Sequence, residues 1–557
     1  MLHRIEQSHD PETIQLRKNY ISPSDTIAAI ESIVREICCP FVLIDVTTGR
    51  LCDETERMRI FKADPRFKEL VSSMTKKVDE TRIQPLVKKF FGYVMFSHAW
   101  QGKEPSFQDV NQANSVWDLP DTLLNKKLRD FCLETRRLGH GWAWSDTCCI
   151  DKSPSSIHNL SESLTLMYKW YANSAATLVY LAGVAHPSKP GDLPRSIWMT
   201  RAWTLQELLS PKVIFFYDSE WKLYLGDNGE NHKQSPGIMQ ELADAIKIPR
   251  GTIVTFSPDD LGVREKLRLA STRRATREED VAYSLIGIFE SDIRPHYGER
   301  SDALGHLLEE IVARKGEVTV LGWSGKSSSY NSCLPASISV YSQIPYTPPS
   351  LEGEEMETRV AELRVKFPQE LALSIYKQIS NLPPARFSSR RLYLPCIVFP
   401  VRKLSIQELP RGNEKLYRAK AFGLGDVEFT TAGDLPLNKP NKFVFAHPWI
   451  RQIRGPSDGV LWDGDLECDA DPDLDLNGGA ASDAVVPLPA VPAPQVDDYT
   501  RALQMVARLS QPFSALLFMQ QPNGEYKRVA AENKIIVSGL GTNITFKDIR
   551  VKVLEIL

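Results

Sequence analysis

Hydrophobic and polar positions along this chain change rhythm three times. Residues 1–40 are polar apart from one amphipathic stretch, 25–37, where Ile27, Ile30, Ile33 and Val34 recur at helical spacing. Residues 41–46 form a compact apolar run that predicts a strand, ended by Thr48-Gly49, and 52–90 read as charge-rich helix and loop. From 93 onward, short apolar runs alternate with amphipathic segments. Strands are expected at 93–97, 142–145, 177–182 and 212–217. Between them, a helix over 121–137 takes Asp121 as its cap and turns Leu124, Leu128 and Phe131 inward, and Gly139 ends it. A second helix starts from a capping box at Asn159 and Glu162 and buries Leu160, Leu164, Met167 and Tyr171. A third, capped by Ser196, runs from Trp198 to Leu209 and stops at Pro211.

Strands alternating with helices of this length predict an α/β fold with a doubly wound parallel sheet. Ligands of such sheets sit outside the carboxyl ends of the strands. Ser97-His98 and residues 146–151 both follow expected strands directly, so they share one sheet edge. Residues 240–315 read as a helical extension. Beyond 330, period-two runs at 391–398, 442–446, 513–519, 534–537 and 550–557 predict a β-rich C-terminal domain. The acidic, Ala/Pro-rich stretch 463–498 interrupts it and cannot bury enough apolar surface to order itself, so a disordered insert is expected. The expected domains are thus 1–40 (an N-terminal helical segment), 41–235, 236–330 and 331–557. Two to four domains is also what 557 residues imply.

Composition narrows the function classes. With 42% hydrophobic and 25% charged residues the chain reads as globular, and a net charge of -3 gives no general attraction to nucleic acid or anionic membranes. No run of about 18 apolar residues marks a membrane span, and the first twenty residues hold no apolar signal core. Nine scattered cysteines without a C-x-x-C fit reduced thiols in a cytoplasmic protein.

Several motifs fail on inspection. Gly325-Lys326-Ser327 lacks the P-loop glycine, because Val320 holds that position. Residues 322–326 (GWSGK) are one residue out of register for a nucleophile elbow. Residues 473–478 (DLDLNG) open like an EF-hand, yet position twelve is Ala484. His98, His140, Cys148, Cys149 and His158 lack a helical metal-ligand spacing, so no metal is expected.

The densest chemistry lies at 201–207 (RAWTLQE). On a helix from Trp198, one buried face takes Trp198, Ala202, Leu205 and Leu209, which leaves Trp203 and Glu207 on the opposite side. Two roles for Glu207 stay open. It is either a solvated carboxylate paired with Arg201 or a lysine, worth about 0.5 kcal/mol, or a group that bonds a ligand's hydroxyls or steadies a developing cation, with Trp203 as a stacking wall.

Three stretches, in order, resemble the signature motifs of the fungal heterokaryon-incompatibility (HET) domain. Residues 93–102 (YVMFSHAWQG) are similar to Y-x-x-L-S-[YH]-x-W-G, with Phe96 for leucine and Gln101 inserted. Residues 144–152 (WSDTCCIDK) are similar to W-I-D-x-x-C-I-D-[QK], with Ser145 for isoleucine, and 201–207 match R-x-W-T-x-Q-E throughout. The likeness covers roughly 40–335. It implies a part in self/non-self recognition, with a cell-death response triggered through self-association or a protein partner. HET domains in turn look distantly similar to Toll/interleukin-1 receptor (TIR) domains, which share a flavodoxin-like sheet and in many cases cleave NAD at the nicotinamide–ribose bond. That resemblance implies NAD as a substrate rather than a resident cofactor. It makes Glu207 the key catalytic carboxylate and Ser97, His98 and Trp100 pocket residues, joined by the motif positions Asp146, Cys149, Asp151, Arg201, Trp203 and Gln206. A helix starting at Trp198 would hold Glu207 more than two turns from the strand ends, so this role requires a later start, near Arg201.

Overall fold

The computed structural model describes residues 20–347, 349, 351–408, 415–449, 497–538 and 550–557. The chain forms two compact units, one of residues 1–261 with 272–300 and one of 262–271 with 301–557.

The first unit is built on six strands: β1 (Leu43–Asp45), β2 (Leu51–Cys52), β3 (Tyr93–His98), β4 (Trp142–Trp144), β5 (Ala176–Tyr180) and β6 (Ile214–Tyr217), in the order β2-β1-β4-β3-β5-β6. The last four run parallel, and β3, β4 and β6 are buried at every position, as strands covered on both faces must be. The sheet is mixed rather than all parallel. β1 and β2 pair antiparallel with each other, and β1 antiparallel with β4. The five-residue link between β1 and β2, which turns at Gly49 with φ +73, is too short for a parallel crossover.

Helix α1 (Leu123–Arg137) joins β3 to β4, and α2 (Ile157–Asn173) joins β4 to β5. Thr122, not Asp121, caps α1 by accepting from Asn125 N at 3.2 Å, and Gly139 closes it with φ +83. Asn159 lies inside α2, whose first residue is Ile157, so the expected capping box is absent. The two helices cover opposite faces. Phe96 stacks on Phe131 of α1 at 4.4 Å, whereas Tyr93 on the other face donates to the Trp170 carbonyl of α2 at 2.7 Å. The chain therefore reverses its winding at β3, and the crevice at the carboxyl ends of β3 and β5 is the topological switch point.

A short helix, Ile286–Phe289, packs on α2 so closely that a Cβ at Gly287 would lie 2.1 Å from Tyr168 Cβ. Gly287→Ala is expected to destabilise this unit by about 3 kcal/mol through overpacking, read as a shift of the urea midpoint at unchanged slope. The N-terminal helix Pro23–Arg35 buries Ile30 and Val34 in a separate small core with Phe61, Phe67 and Val87.

The second unit holds β7 (Arg386–Ser388), β8 (Arg391–Glu408), β9 (Lys415–Ala421), β10 (Asp426–Thr431), β11 (Phe443–Pro448), β12 (Phe513–Gln520), β13 (Tyr526–Arg528), β14 (Ile535–Val537) and β15 (Arg550–Ile556). The 18-residue β8 pairs with β11 and β15 along its first half and, past an irregularity at Val401/Lys403, with β9 along its second. Because β15 also meets β13 and pairs with β8, the path β8-β11-β12-β13-β15 closes on itself, and β10 stands at the end of the strand order. Every period-two run expected after 330 contributes a strand. The unit is not purely β, however: α3 (Gly353–Lys366), α4 (Gln369–Ser380) and α5 (Asp498–Leu509) pack together, burying Met356, Ile375 and Leu503 in the core that Phe399 and Phe445 share. Residues 463–496 of the expected insert lie outside the described residues. Its last two residues are helical in role, since Asp497 caps α5 by accepting from Thr500 N and Asp498 begins it. Among the described residues, no helix is long and apolar enough to cross a membrane.

Candidate functional site

The site is built at the carboxyl end of β3, where Ser97 and His98 register against Val179 and Tyr180 of β5. Adjacent strand residues point to opposite faces, and these two do. Ser97 accepts from the Trp198 indole N–H at 2.7 Å and donates to Glu207 Oε2. His98 stacks on Phe96 at 4.2 Å on the α1 face, and its Nε2 lies 2.8 Å from Glu104 Oε2.

Glu207 reaches Ser97 because the local chain departs from the expected helix. Trp198–Thr200 form one 3-10 turn, Arg201 is extended, and the α-helix spans only Thr204–Leu209. The cause is tertiary. Ala202 N donates to the Arg274 carbonyl at 2.8 Å and Arg274 N to that of Thr200 at 2.6 Å, so these backbone groups leave the helical ladder. Arg273 secures the break: its buried guanidinium donates to the Arg201 carbonyl at 3.0 Å and to Thr204 Oγ1 at 2.7 Å. Glu207 thereby lies in the first turn. The expectation that Glu207 faces away from the core is overturned, since it is only 8% exposed and all six residues of the helix are buried. A helix buried on every side offers no polar face for a helical wheel to find.

Burial pushes the Glu207 carboxyl up to about 8; the Ser97 hydrogen bond opposes this, Asp146 adds to it, and Arg201 and Arg273 pull it back. At neutral pH the group is therefore mainly a neutral acid. Burial also lowers Arg273 to about 10 against the pull of Glu207.

The opposite face carries a second buried cluster. Glu104 lies between His98 and Lys127 of α1, with Lys127 Nζ 2.5 Å from Glu104 Oε1, and Gln101 N donates to the same oxygen at 2.9 Å. Burial pushes the Glu104 carboxyl up, but the hydrogen bonds and charges of His98 and Lys127 prevail and hold it near about 2. Lys127 is lowered, because its own desolvation outweighs the attraction of Glu104.

Asp146, just past β4, ties the two clusters together. It accepts from the Trp100 indole N–H at 2.9 Å and acts electrostatically on Glu207, Lys127 and Lys152. Trp100 is 46% exposed, and the Lys152 ammonium lies 3.9 Å from its ring centre. Arg201 joins through its effect on Glu207, and Gln206 lies beside Glu207 in the same buried turn. Trp203 hydrogen-bonds Asp280 rather than standing as an open wall.

Two expected site residues are otherwise engaged. Cys149 is buried in the sheet core with its sulfur receiving Ser145 N at 3.4 Å, and burial raises its thiol. Asp151 holds a turn, accepting from Ser156 Oγ at 2.6 Å, Ser153 N at 2.9 Å and the Gln108 amide at 2.6 Å. Sequence reasoning missed Glu104, Lys127 and Arg273. Lys127 precedes the inward-facing Leu128 and was readable as a cation at the border of the buried face, whereas nothing local marks Glu104 or Arg273. Three buried polar atoms around the site carry no hydrogen bond: His98 Nδ1, Gln206 Nε2 and Arg273 Nη2.

A carboxyl that accepts a hydrogen bond from a serine hydroxyl, at a switch-point crevice, is suited to holding hydroxyls and stabilising positive charge. Comparison with known proteins bears on the part of the site that holds Ser97, His98, Trp100 and Asp146, and the match to the family model ends before Glu207. Residues 93–191 match the family model described as heterokaryon incompatibility protein (HET). Vegetative incompatibility protein HET-E-1 of Podospora anserina is 33% identical over 231 residues, covering 39% of this chain and 16% of that protein. The chain thus spans under a fifth of the length of this curated relative. No solved structure matches.

Proposed function

We propose that this chain, which carries a HET-family segment at 93–191, acts in fungal self/non-self recognition, and that its first unit promotes the cell-death response by enzymatic cleavage of the nicotinamide–ribose bond of NAD. Self-association or a protein partner brings copies together and activates it. The likeness to an incompatibility protein supports the biological role. The observation that carries the chemistry is the Glu207 carboxyl, 8% exposed and bonded to Ser97 at the switch point.

In this reading Glu207 enters catalysis by losing a proton. The nicotinamide ring of NAD is a cation, and a positive charge placed beside a neutral acid favours its ionised form. The resulting carboxylate holds the ribose hydroxyls. As the C1′–N1 bond breaks, its electron pair leaves with neutral nicotinamide, and the carboxylate stabilises the oxocarbenium-like centre that remains. Water adds at C1′ and releases a proton, giving ADP-ribose. Trp100 is the exposed stacking surface for a flat ring, and Gln206, next to Glu207, supplies a polar atom left unbonded among the described residues, whereas His98 faces the other side of the sheet and takes no part. Ser97 orients the carboxyl.

The test is nicotinamide release from NAD by the full chain at rising protein concentration. Product that increases more steeply than protein concentration is the expected result. No product at any concentration, including chemically crosslinked protein, would remove the enzymatic reading and leave the unit as a docking module working by self-association.

A further inference from the structure

The second unit contains a cavity of about 170 Å³ between Trp323, the 345–347 segment and the strands β12, β13 and β14. Its walls are apolar and aromatic, with Trp323, Tyr346, Leu517 and Ile535 among them. Among the described residues three cations line it, Arg264, Arg528 and Lys534, and no carboxylate does. Buried charge is ordinarily matched by opposite charge, and the buried Arg528 meets no carboxylate among these lining residues, which favours an anionic ligand.

The three cations are not equivalent. Arg528 is buried and donates to the carbonyls of Leu321, Trp323 and Cys333 at 2.8, 2.7 and 3.3 Å, with its guanidinium 3.9 Å from the Trp323 ring centre. Those carbonyls use its hydrogens without cancelling its charge. Arg264 donates to the Tyr341 and Gln343 carbonyls at 3.2 and 2.7 Å. Among the described residues no group engages the Lys534 ammonium, and its proton is held less firmly because of burial and the like charge of Arg264. The cavity therefore offers one available charged donor in a positive field, above an apolar floor.

We propose that this cavity is a binding site for a small, flat organic monocarboxylate, its carboxylate on Lys534 and its ring against Trp323 and Tyr346. Size supports the class: a cavity of about 150 Å³ accepts a benzene ring. Arg264 and Arg528 direct their Nη1 and Nη2 groups to backbone carbonyls, so Lys534 is the donor assigned to the carboxylate, and inorganic phosphate is the competing ligand that the experiment tests. A benzoate-sized acid satisfies the field with one charge and fills the floor with its ring.

The experiment titrates sodium benzoate into the full chain by calorimetry, with benzamide and inorganic phosphate as comparison probes. Saturable one-to-one binding of benzoate is expected, with benzamide bound at least tenfold more weakly, because a hydrogen bond to a charged group is worth roughly tenfold or more. Lys534→Met, at a half-buried position, is expected to keep the wild-type melting temperature and lose benzoate affinity at least about tenfold. Lys534→Gln provides a second folded variant with a polar end. Three results would overturn the proposal: no benzoate heat up to about 10 mM, equal binding by wild type and both variants, or phosphate bound in preference to benzoate.

Discussion

Replacing Glu207 with glutamine is expected to reduce nicotinamide release by roughly 10²–10³-fold, while leaving the protein folded. The amide keeps the shape of the acid and a hydrogen bond to Ser97, but it cannot become an anion when the cation forms. The pH profile separates this role from a structural one. With the free carboxyl near about 8, the ionised form that binds the pyridinium falls about tenfold for each pH unit below 8. Wild-type kcat/KM therefore rises toward pH 8 and levels above it, and the residual activity of Glu207→Gln shows no such rise. Stability moves the other way. The folded-state pKa is raised above the ordinary carboxyl value of 4.5, so the proton stabilises the fold below that value, and this contribution is lost as pH rises toward and through 8. Glu207→Gln is thus more stable than wild type at pH 9 and not at pH 4. A variant that retains full activity would remove Glu207 from the mechanism. One that is inactive because it unfolds at pH 9 would contradict the assignment of a buried neutral acid.

Glu104→Leu is expected to cost about 3–5 kcal/mol, because it strands the Lys127 ammonium in a nearly dry site. Lys127 is 5% exposed, and Glu104 is its anionic partner at 2.5 Å. Replacing both members, Glu104→Leu with Lys127→Met, is expected to recover most of the loss, since a hydrophobic pair of similar volume replaces the ion pair without leaving a charge behind. The sign with pH follows from the depressed carboxyl. Its folded-state pKa of about 2 lies below the ordinary 4.5, so its stabilisation is complete above 4.5 and lost as pH falls from there to 2. Denaturant midpoints of the single and double variants at pH 7 and pH 3 check this. A single variant within 1 kcal/mol of wild type would mean that Lys127 finds another route to solvent or partner.

Much of the frame was legible in the chain itself. The four apolar runs at 93, 142, 177 and 212 became β3 to β6, and the first two helices between them began within two residues of their expected starts, whereas the third began at Thr204 instead of Trp198. The parallel order followed, because crossovers of that length permit little else. Placing Ser97 and Asp146 at one edge needed only the rule that ligand groups follow strands. The run at 41–46 became β1, but its partner in the edge hairpin escaped notice, because β2 is two residues long and has too little pattern to read. The helices at 353–366, 369–380 and 498–509 were not expected, because everything beyond 330 was read as β-rich.

The residues of the site were largely visible as a dense motif, but their roles were not. Glu207 read as exposed because a wheel assumes one continuous helix with one wet side. Its burial depends on Arg273 and Arg274, more than sixty positions away, which take the backbone hydrogen bonds of 200–202 and restart the helix at Thr204. Cys149 and Asp151 stand in the same motif as Asp146, yet only Asp146 turns toward Glu207. Local sequence determined which segments are strands and helices, since periodicity and turn chemistry act over a few residues. Tertiary structure decided which carboxylate is neutral and which is ionised: that depends on how far water is excluded and which charges, from distant parts of the chain, lie within a few ångströms. Glu104 and Glu207 are the same side chain on two faces of one strand's end, and only the folded surroundings hold one near about 2 and the other near about 8.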